Sequence, residues 1–168
     1  MNIKRLTTVA ILSALSVVFI YLASIIPTGR LALIAVAGIL PAAAVVAHGL
    51  RSGVYCFVVT AFLSLLIVPS KGSALVYTVI FGHYPVLKCL IEKLHNIPLE
   101  WLLKLLLFNT LLTVCILAFK SLFMTVMPSA LSTTLLIYIA GNIAFAAYDL
   151  CFSGIITAYG RLIKKIMK

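Results

Sequence analysis

Six long apolar runs, separated by short polar breaks, account for most of this sequence. They fall at about 6–26, 31–49, 53–69, 73–91, 98–119 and 130–158, and each is bounded by charge, proline or glycine. An α-helix needs about 20 apolar residues to cross a bilayer, and the runs lack the alternating pattern of a membrane barrel. The pattern therefore predicts an all-α integral membrane protein whose six transmembrane helices form a single compact bundle. Because the third run is short and the last is long, tilt or a bent end is expected.

Composition narrows the class further. The 168 residues are 64% hydrophobic and 10% charged, against about 45–50% and 25% in soluble domains. After six spans almost no chain remains for a soluble catalytic domain. We therefore expect a single transmembrane domain over residues 1–168, working in or beside the lipid bilayer.

Positive charge is distributed unevenly between the two ends of the predicted helices. The net charge is +10, but the cations stand singly between apolar runs and form no basic stripe for nucleic acid. With the N-terminus in the cytoplasm, the inner side carries the excess, a positive-inside bias that predicts both termini to be cytoplasmic. Ten cations then lie at or near the inner face, namely Lys4, Arg5, Arg51, Lys88, Lys93, Lys104, Arg161, Lys164, Lys165 and Lys168, and three lie outside, namely Arg30, Lys71 and Lys120.

Polar residues inside the apolar runs are the strongest functional signal. An ionisable side chain at the bilayer centre costs about 2.5–3.5 kcal/mol on insertion scales, so it usually faces protein or a water-filled cavity. At helical spacing, three predicted helices each carry a polar stripe. The stripes are Ser73, Tyr77, Phe81, Tyr84 and Lys88, with His83 to one side and Pro85 able to kink the helix; Asn109, Thr113, Ile116 and Lys120; and Tyr138, Asn142, Phe145 and Asp149.

Turned inward, these stripes would enclose an amphipathic pocket that opens outward. Its candidate substrate-binding residues are Tyr77, His83, Tyr84, Asn109, Tyr138 and Asn142. The same side chains also serve as interhelical hydrogen-bond donors and acceptors, worth about 0.6 kcal/mol each on average, so a structural role stays open for each of them. For Lys88 and Asp149 we favour a structural or gating ion pair over direct contact with a ligand.

The first helix differs because its notable face is made of small residues. Thr7, Ala10, Ala14 and Val17 share one side, and a small-xxx-small pattern allows another helix to approach closely.

Motifs for catalysis are not found. The sequence has no GxxxxGK[ST] phosphate loop, no HExxH and no GxSxG, and three acidic residues are too few for a hard-metal site. We therefore predict no catalytic residue, no metal and no cofactor. If the chain moves a solute by nucleotide hydrolysis, the ATPase is another chain.

Several of these features together resemble the substrate-binding (S) components of energy-coupling factor (ECF) transporters. The resemblance covers nearly the whole chain and rests on the six-helix size and on three motifs, with Arg51-Ser52 standing where the family commonly has Gly-Pro. The motifs are Lys4-Arg5-Leu-Thr-Thr-Val-Ala10-Ile-Leu-Ser-Ala14-Leu, similar to the family's first-helix AxxxA; the Pro41 helix leading to Gly49-Leu-Arg-Ser-Gly53; and Gly141-Asn142 followed by Tyr148-Asp149.

The resemblance implies a substrate-capture subunit for a vitamin or similar small micronutrient in a prokaryotic cell membrane. Ala10 and Ala14 would then bind the transmembrane coupling subunit (T component), which works with two ATPase subunits. The ligand would lie in the outer half, between the last three helices, and the loaded subunit would topple in the membrane as the ATPases cycle.

Two other functions stay open. One is a self-sufficient small transporter or channel in which Asp149 and Lys88 form a proton-coupled relay. The other is a non-transport membrane scaffold in which all the polar stripes hold helices together.

Overall fold

A computed structural model describes residues 3–26, 28–94, 96–118 and 134–166 of the chain. Within these ranges all regular secondary structure is helical. The elements are α1 (Ile3–Ile25), α2 (Arg30–His48), α3 (Leu50–Ile67), α4 (Lys71–Val76), a π-helical segment (Tyr77–Phe81), α5 (Tyr84–Ile91), a 3-10 turn (Glu92–Leu94), α6 (Ile97–Ala118) and α7 (Thr134–Ile166).

The prediction of an all-helical fold is confirmed for the described residues. Within the described ranges, six helical segments are long and apolar enough to cross a membrane. One of them is Lys71–Ile91, in which α4, the π-helical segment and α5 follow one another. We call this segment the fourth span. As expected, the third helix is short, with 18 residues, and the last is the longest, with 33. The predicted start of the last run, 130–133, and the outward loop with Lys120 lie outside the described residues.

Helices α1, α2 and α3 pack tightly because their facing sides carry small residues. The buried side of α1 is spaced alternately four and three residues apart and includes Ser13, Ser16 and Ala23. Between α2 and α3 the backbones approach most closely at Gly53, where an added Cβ would run into Val45 and lie 3.1 Å from the carbonyl oxygen of Pro41. Close backbone approach through small residues is how membrane helices gain packing energy without a hydrophobic driving force.

Pro41 creates a specific backbone problem in the middle of α2. Proline has no N–H, so the carbonyl oxygen four residues earlier, that of Ala37, loses its helical partner. Ser16 on α1 lies opposite, and its hydroxyl donates a hydrogen bond of 3.3 Å to that oxygen. Both Ser16 and Ala37 are fully buried, so a side chain of one helix compensates for the proline in its neighbour.

The fourth span is not one regular helix. The chain passes from α4 into the π-helical segment and bends at Gly82-His83 before α5 begins, with Pro85 in its first turn. Proline is tolerated there because the first N–H groups of a helix have no helical partner. Pro85 therefore lies at the start of a new helix, and the expected kink is made by the segment that precedes it.

This break divides the polar stripe predicted for the fourth span. Tyr77 faces α3, with its ring centroid 6.5 Å from that of Phe57, whereas Tyr84 packs against Phe145 of α7 at 5.3 Å. The expectation of one continuous face from Ser73 to Lys88 is wrong, because helical spacing cannot be counted across a π-helical turn.

Candidate functional site

A cluster of four charged side chains joins α5, the following turn, α6 and α7. Lys88 and Lys104 are both buried and both contact the carboxylates of Asp149 and Glu92. Lys88 donates to Oδ1 of Asp149, and Lys104 donates to Oδ2 at 3.2 Å. Oε1 of Glu92 lies 3.1 Å from the Lys88 ammonium and 3.0 Å from that of Lys104. Two positive and two negative charges make this four-residue ion cluster neutral overall. Lys88, Lys104 and Asp149 are buried and are compensated by one another, whereas Glu92 is 43% exposed and completes the cluster at the surface.

The cluster is completed by neutral hydrogen-bonding groups. The Tyr84 hydroxyl donates to Oδ1 of Asp149, and Lys88 donates to the Ser153 hydroxyl at 2.8 Å. The Lys88 ammonium also lies 5.5 Å from the ring centroid of Phe152, within the range of a cation–π contact. Both oxygens of the Asp149 carboxylate are therefore engaged.

The Lys88–Asp149 pair expected from the sequence is joined by two residues that were not predicted to belong to it, Lys104 and Glu92. Lys104 was counted among the cations near the inner face; in the structure it is 4% exposed and lies in the cluster. Glu92 follows Lys88 by one helical turn, and Lys104 interrupts an otherwise apolar stretch of α6. A lysine inside an apolar run suggests that it has a buried partner. The sequence does not identify that partner, because no spacing rule links α6 to the turn before it.

A cavity of about 300 Å³ lies beyond the cluster, toward the end of the bundle where α2 begins. Its lining comes from four segments of the chain. These are α2, through Leu31, Ala32 and Ala35; the fourth span, through Val76, Ile80 and Phe81; α6, through Phe108 and Leu112; and α7, from Ile137 to Tyr148.

An aromatic layer separates the cavity from the ion cluster. Phe145 and Tyr148 line the cavity, and the Tyr84 ring lies directly behind them, at 5.3 and 5.8 Å between centroids. On the other side of Tyr84 is Asp149, which its hydroxyl contacts. Tyr84 thus connects the two features without lining the cavity itself.

The other polar residues predicted to bind substrate are bonded to one another. The Asn109 amide donates to Oδ1 of Asn142 at 2.9 Å and accepts from its amide at 3.0 Å. The hydroxyls of Thr113 and Tyr138 lie 2.6 Å apart. These contacts hold α6 against α7, and Asn109, Asn142 and Tyr138 are not among the residues that line the cavity.

Tyr77 and His83 lie on the side of the fourth span that faces α3. Tyr77 is fully buried and its hydroxyl has no hydrogen-bond partner. His83 donates from Nδ1 to the carbonyl oxygen of Thr78 at 3.2 Å, and its ring contacts Phe57 edge-on. Neither residue lines the cavity.

Ala10 and Ala14 are exposed on α1, on the side opposite the buried face that packs against α2 and α3. The cavity-lining residues come from other elements. The alanine face and the cavity are therefore separate surfaces of the molecule.

Comparison with protein-family models, with curated proteins and with solved structures finds no match to this chain. Its function is therefore inferred from the geometry of the chain and from the residues of the resemblance described above.

Proposed function

We propose that this chain is the substrate-capture subunit of an ECF-type importer in a prokaryotic cell membrane. In this proposal it has cytoplasmic termini and takes a small nutrient from outside. It passes that nutrient on only in complex with a transmembrane coupling subunit and two ATPase subunits. The chain itself carries out no covalent chemistry.

The observation that carries the proposal is the cavity of about 300 Å³ among α2, the fourth span, α6 and α7. Its volume is at the lower end of the roughly 300–1,000 Å³ typical of small-molecule sites. Leu31 and Ala32, in the first turn of α2, are part of its lining. In this proposal the N-terminus is inside and the start of α2 is outside, so the cavity would lie in the outer half of the protein.

A second supporting feature is the separation of cavity and alanine face. A capture subunit needs one surface for its ligand and another for the subunit that drives transport. The exposed Ala10 and Ala14 are small residues one helical turn apart, a spacing at which a partner helix can pack closely.

The ion cluster supports a structural role over a proton relay. Asp149 accepts from Lys88, Lys104 and Tyr84, so a proton added to it would displace compensated contacts and leave positive charge buried. In the capture proposal the cluster fixes α5, α6 and α7 below the cavity.

The test uses substitutions on the alanine face. Ala10→Trp and Ala14→Trp are expected to abolish co-purification with the coupling subunit of the source organism, because a bulky ring prevents close helix contact. Ala147→Trp, at an exposed alanine on α7 that does not line the cavity, is the matched control and is expected to assemble normally. Assembly that survives both α1 substitutions would contradict the proposal.

Ligand binding is measured separately. A thermal-shift screen of vitamins, purines and amino acids in detergent identifies the solute, since a ligand at one hundred times its Kd stabilises by about 2.7 kcal/mol. Both α1 variants are expected to keep that shift and to lose uptake. Transport by the purified chain alone in liposomes, with a pH dependence that Asp149→Asn removes, would instead establish the proton-coupled alternative.

A further inference from the structure

We infer that the cavity takes an uncharged, mostly apolar molecule of one or two rings with a single hydrogen-bonding group. This inference names the substrate class for the proposed capture site, and it rests on that proposed function. It differs from the expectation of an amphipathic pocket, since the polar stripe residues do not line the cavity.

The described lining of the cavity is almost entirely apolar. Among the described lining residues, Tyr148 is the one with a polar side-chain atom. A charged or strongly polar ligand would leave its own groups unpaired against these walls, and each unpaired group costs about 2–7 kcal/mol on transfer. The nearby cations do not change this, because Lys88 and Lys104 lie behind Tyr84 and are paired with carboxylates.

The Tyr148 hydroxyl is held within the protein by a long hydrogen bond. Its hydrogen-bond acceptor is the carbonyl oxygen of Ala35, at 3.5 Å, beyond the ordinary range for such a bond. The hydroxyl oxygen lies beside α2, where a Cβ at Gly38 would be 3.0 Å from it. Turning its hydrogen from Ala35 to a ligand therefore costs little, and Tyr148 is the one described lining side chain that can form such a bond.

Aromatic side chains shape the walls of the cavity. Phe108 and Phe145 stack at 4.5 Å between centroids, and Phe81 meets Tyr148 edge-on at 5.3 Å. At Gly141 an added Cβ would make ordinary contacts of 3.4 Å with Leu112 and 3.5 Å with Phe108. Packing therefore does not require a glycine there, and the missing side chain enlarges the cavity beside these rings.

Two residues of the described lining reach the molecular surface, namely Ala32 on α2 and Ala144 on α7. Both side chains are single methyl groups, so neither of them covers the cavity. A larger side chain at either position would extend over or into the cavity.

The test is equilibrium dialysis of 1-naphthol against the protein in lipid nanodiscs, with empty nanodiscs subtracted to remove lipid partitioning. Saturable binding is expected for 1-naphthol and not for the charged analogue 1-naphthoate. Tyr148→Phe is expected to weaken binding by about twofold to tenfold, the value of one hydrogen bond.

Two variants place a large side chain at the exposed lining positions, one on α2 and one on α7. Ala144→Phe and Ala32→Phe are each expected to abolish saturable binding, and Ala147→Phe, an exposed alanine on the same helix outside the lining, is expected to preserve it. If one blocking variant does not fold, the other still decides the result. No saturable binding of 1-naphthol, or tighter binding of 1-naphthoate, would overturn the inference.

The outcomes separate this inference from the proposed function. Normal assembly with the coupling subunit without 1-naphthol binding would reject the apolar substrate class and leave the importer proposal intact. Saturable binding by a chain that never assembles with a coupling subunit would reject the importer and leave the apolar site.

Discussion

The ammonium group of Lys104 on α6 lies 3.2 Å from Oδ2 of Asp149 on α7. This contact joins two helices that are separated in sequence by the 119–133 segment. Because Lys88 takes the other carboxylate oxygen, Asp149 is the residue on which α5, α6 and α7 converge. The charge balance of the cluster therefore depends on this buried carboxylate together with that of Glu92.

Asp149→Asn is expected to lower the free energy of unfolding by about 3–5 kcal/mol, because removing one partner leaves buried charge uncompensated. Two lysines would then share the single carboxylate of Glu92. Adding Lys88→Met restores one lysine to one carboxylate, so the double variant is expected to recover part of the loss. Melting temperature in detergent measures both effects.

Glu100→Gln is the matched control, since it removes an acidic residue of α6 that lies outside the cluster. A melting temperature for Asp149→Asn equal to that of Glu100→Gln would show that the cluster does not stabilise the fold.

Ser16→Ala is expected to destabilise the protein by about 1–3 kcal/mol. The substitution leaves the Ala37 carbonyl oxygen buried without a donor, because Pro41 cannot supply one. Ser24→Ala on the same helix is the comparison, since the Ser24 hydroxyl donates to the carbonyl of Ile20 within α1. Pro41→Ala would return an N–H to α2, so Ser16→Ala is expected to lower the free energy of unfolding less in that background. Equal losses in the two backgrounds would argue against this compensation.

Asn109→Leu is expected to cost about 1 kcal/mol, because it leaves the Asn142 amide without its partner. The double variant with Asn142→Leu is expected to be closer to the unmodified protein. Since neither residue lines the cavity, 1-naphthol affinity should not change. Loss of binding with no change in melting temperature would instead favour the ligand-contact role expected from sequence.

Gly53→Ala and Gly154→Ala are expected to have opposite effects. At Gly53 the new methyl would run into Val45, so a loss of about 1–3 kcal/mol is expected from overpacking. At Gly154 nothing lies within 4 Å, and alanine should stabilise α7 by up to about 1 kcal/mol. Val45→Ala should restore stability to the Gly53→Ala variant. If it does not, the loss in Gly53→Ala does not come from the contact with Val45.

The sequence was sufficient to predict the helices, because apolar length and charged boundaries are local properties. It also singled out Lys88 and Asp149, which the structure brings into contact, because a charged side chain inside an apolar run needs a compensating group. Which polar side chains bond to each other across helices is not a local property. Asn109 and Asn142 are bonded to each other, and their periodicity alone could not distinguish that pairing from two groups facing a ligand.

The position of the cavity could not be predicted from the polar residues of the sequence. It is formed where side chains are small or absent, at Ala35, Ala140 and Gly141, and periodicity gives no sign of empty space. The division of the fourth span was hidden for a related reason, since nothing in the Tyr77–Phe81 sequence distinguishes a π-helical turn from an α-helical one.

That division has a mechanical consequence. An unbroken helix transmits a rotation or tilt along its whole length, whereas the fourth span is two short helices in series, joined by the π-helical segment and the Gly82-His83 bend. The first half is held by Tyr77 against α3, and the second is held by Lys88 against α7. The cavity wall at Val76–Phe81 and the charged end of the bundle therefore belong to different helical units, and a tilt of one is not carried rigidly into the other.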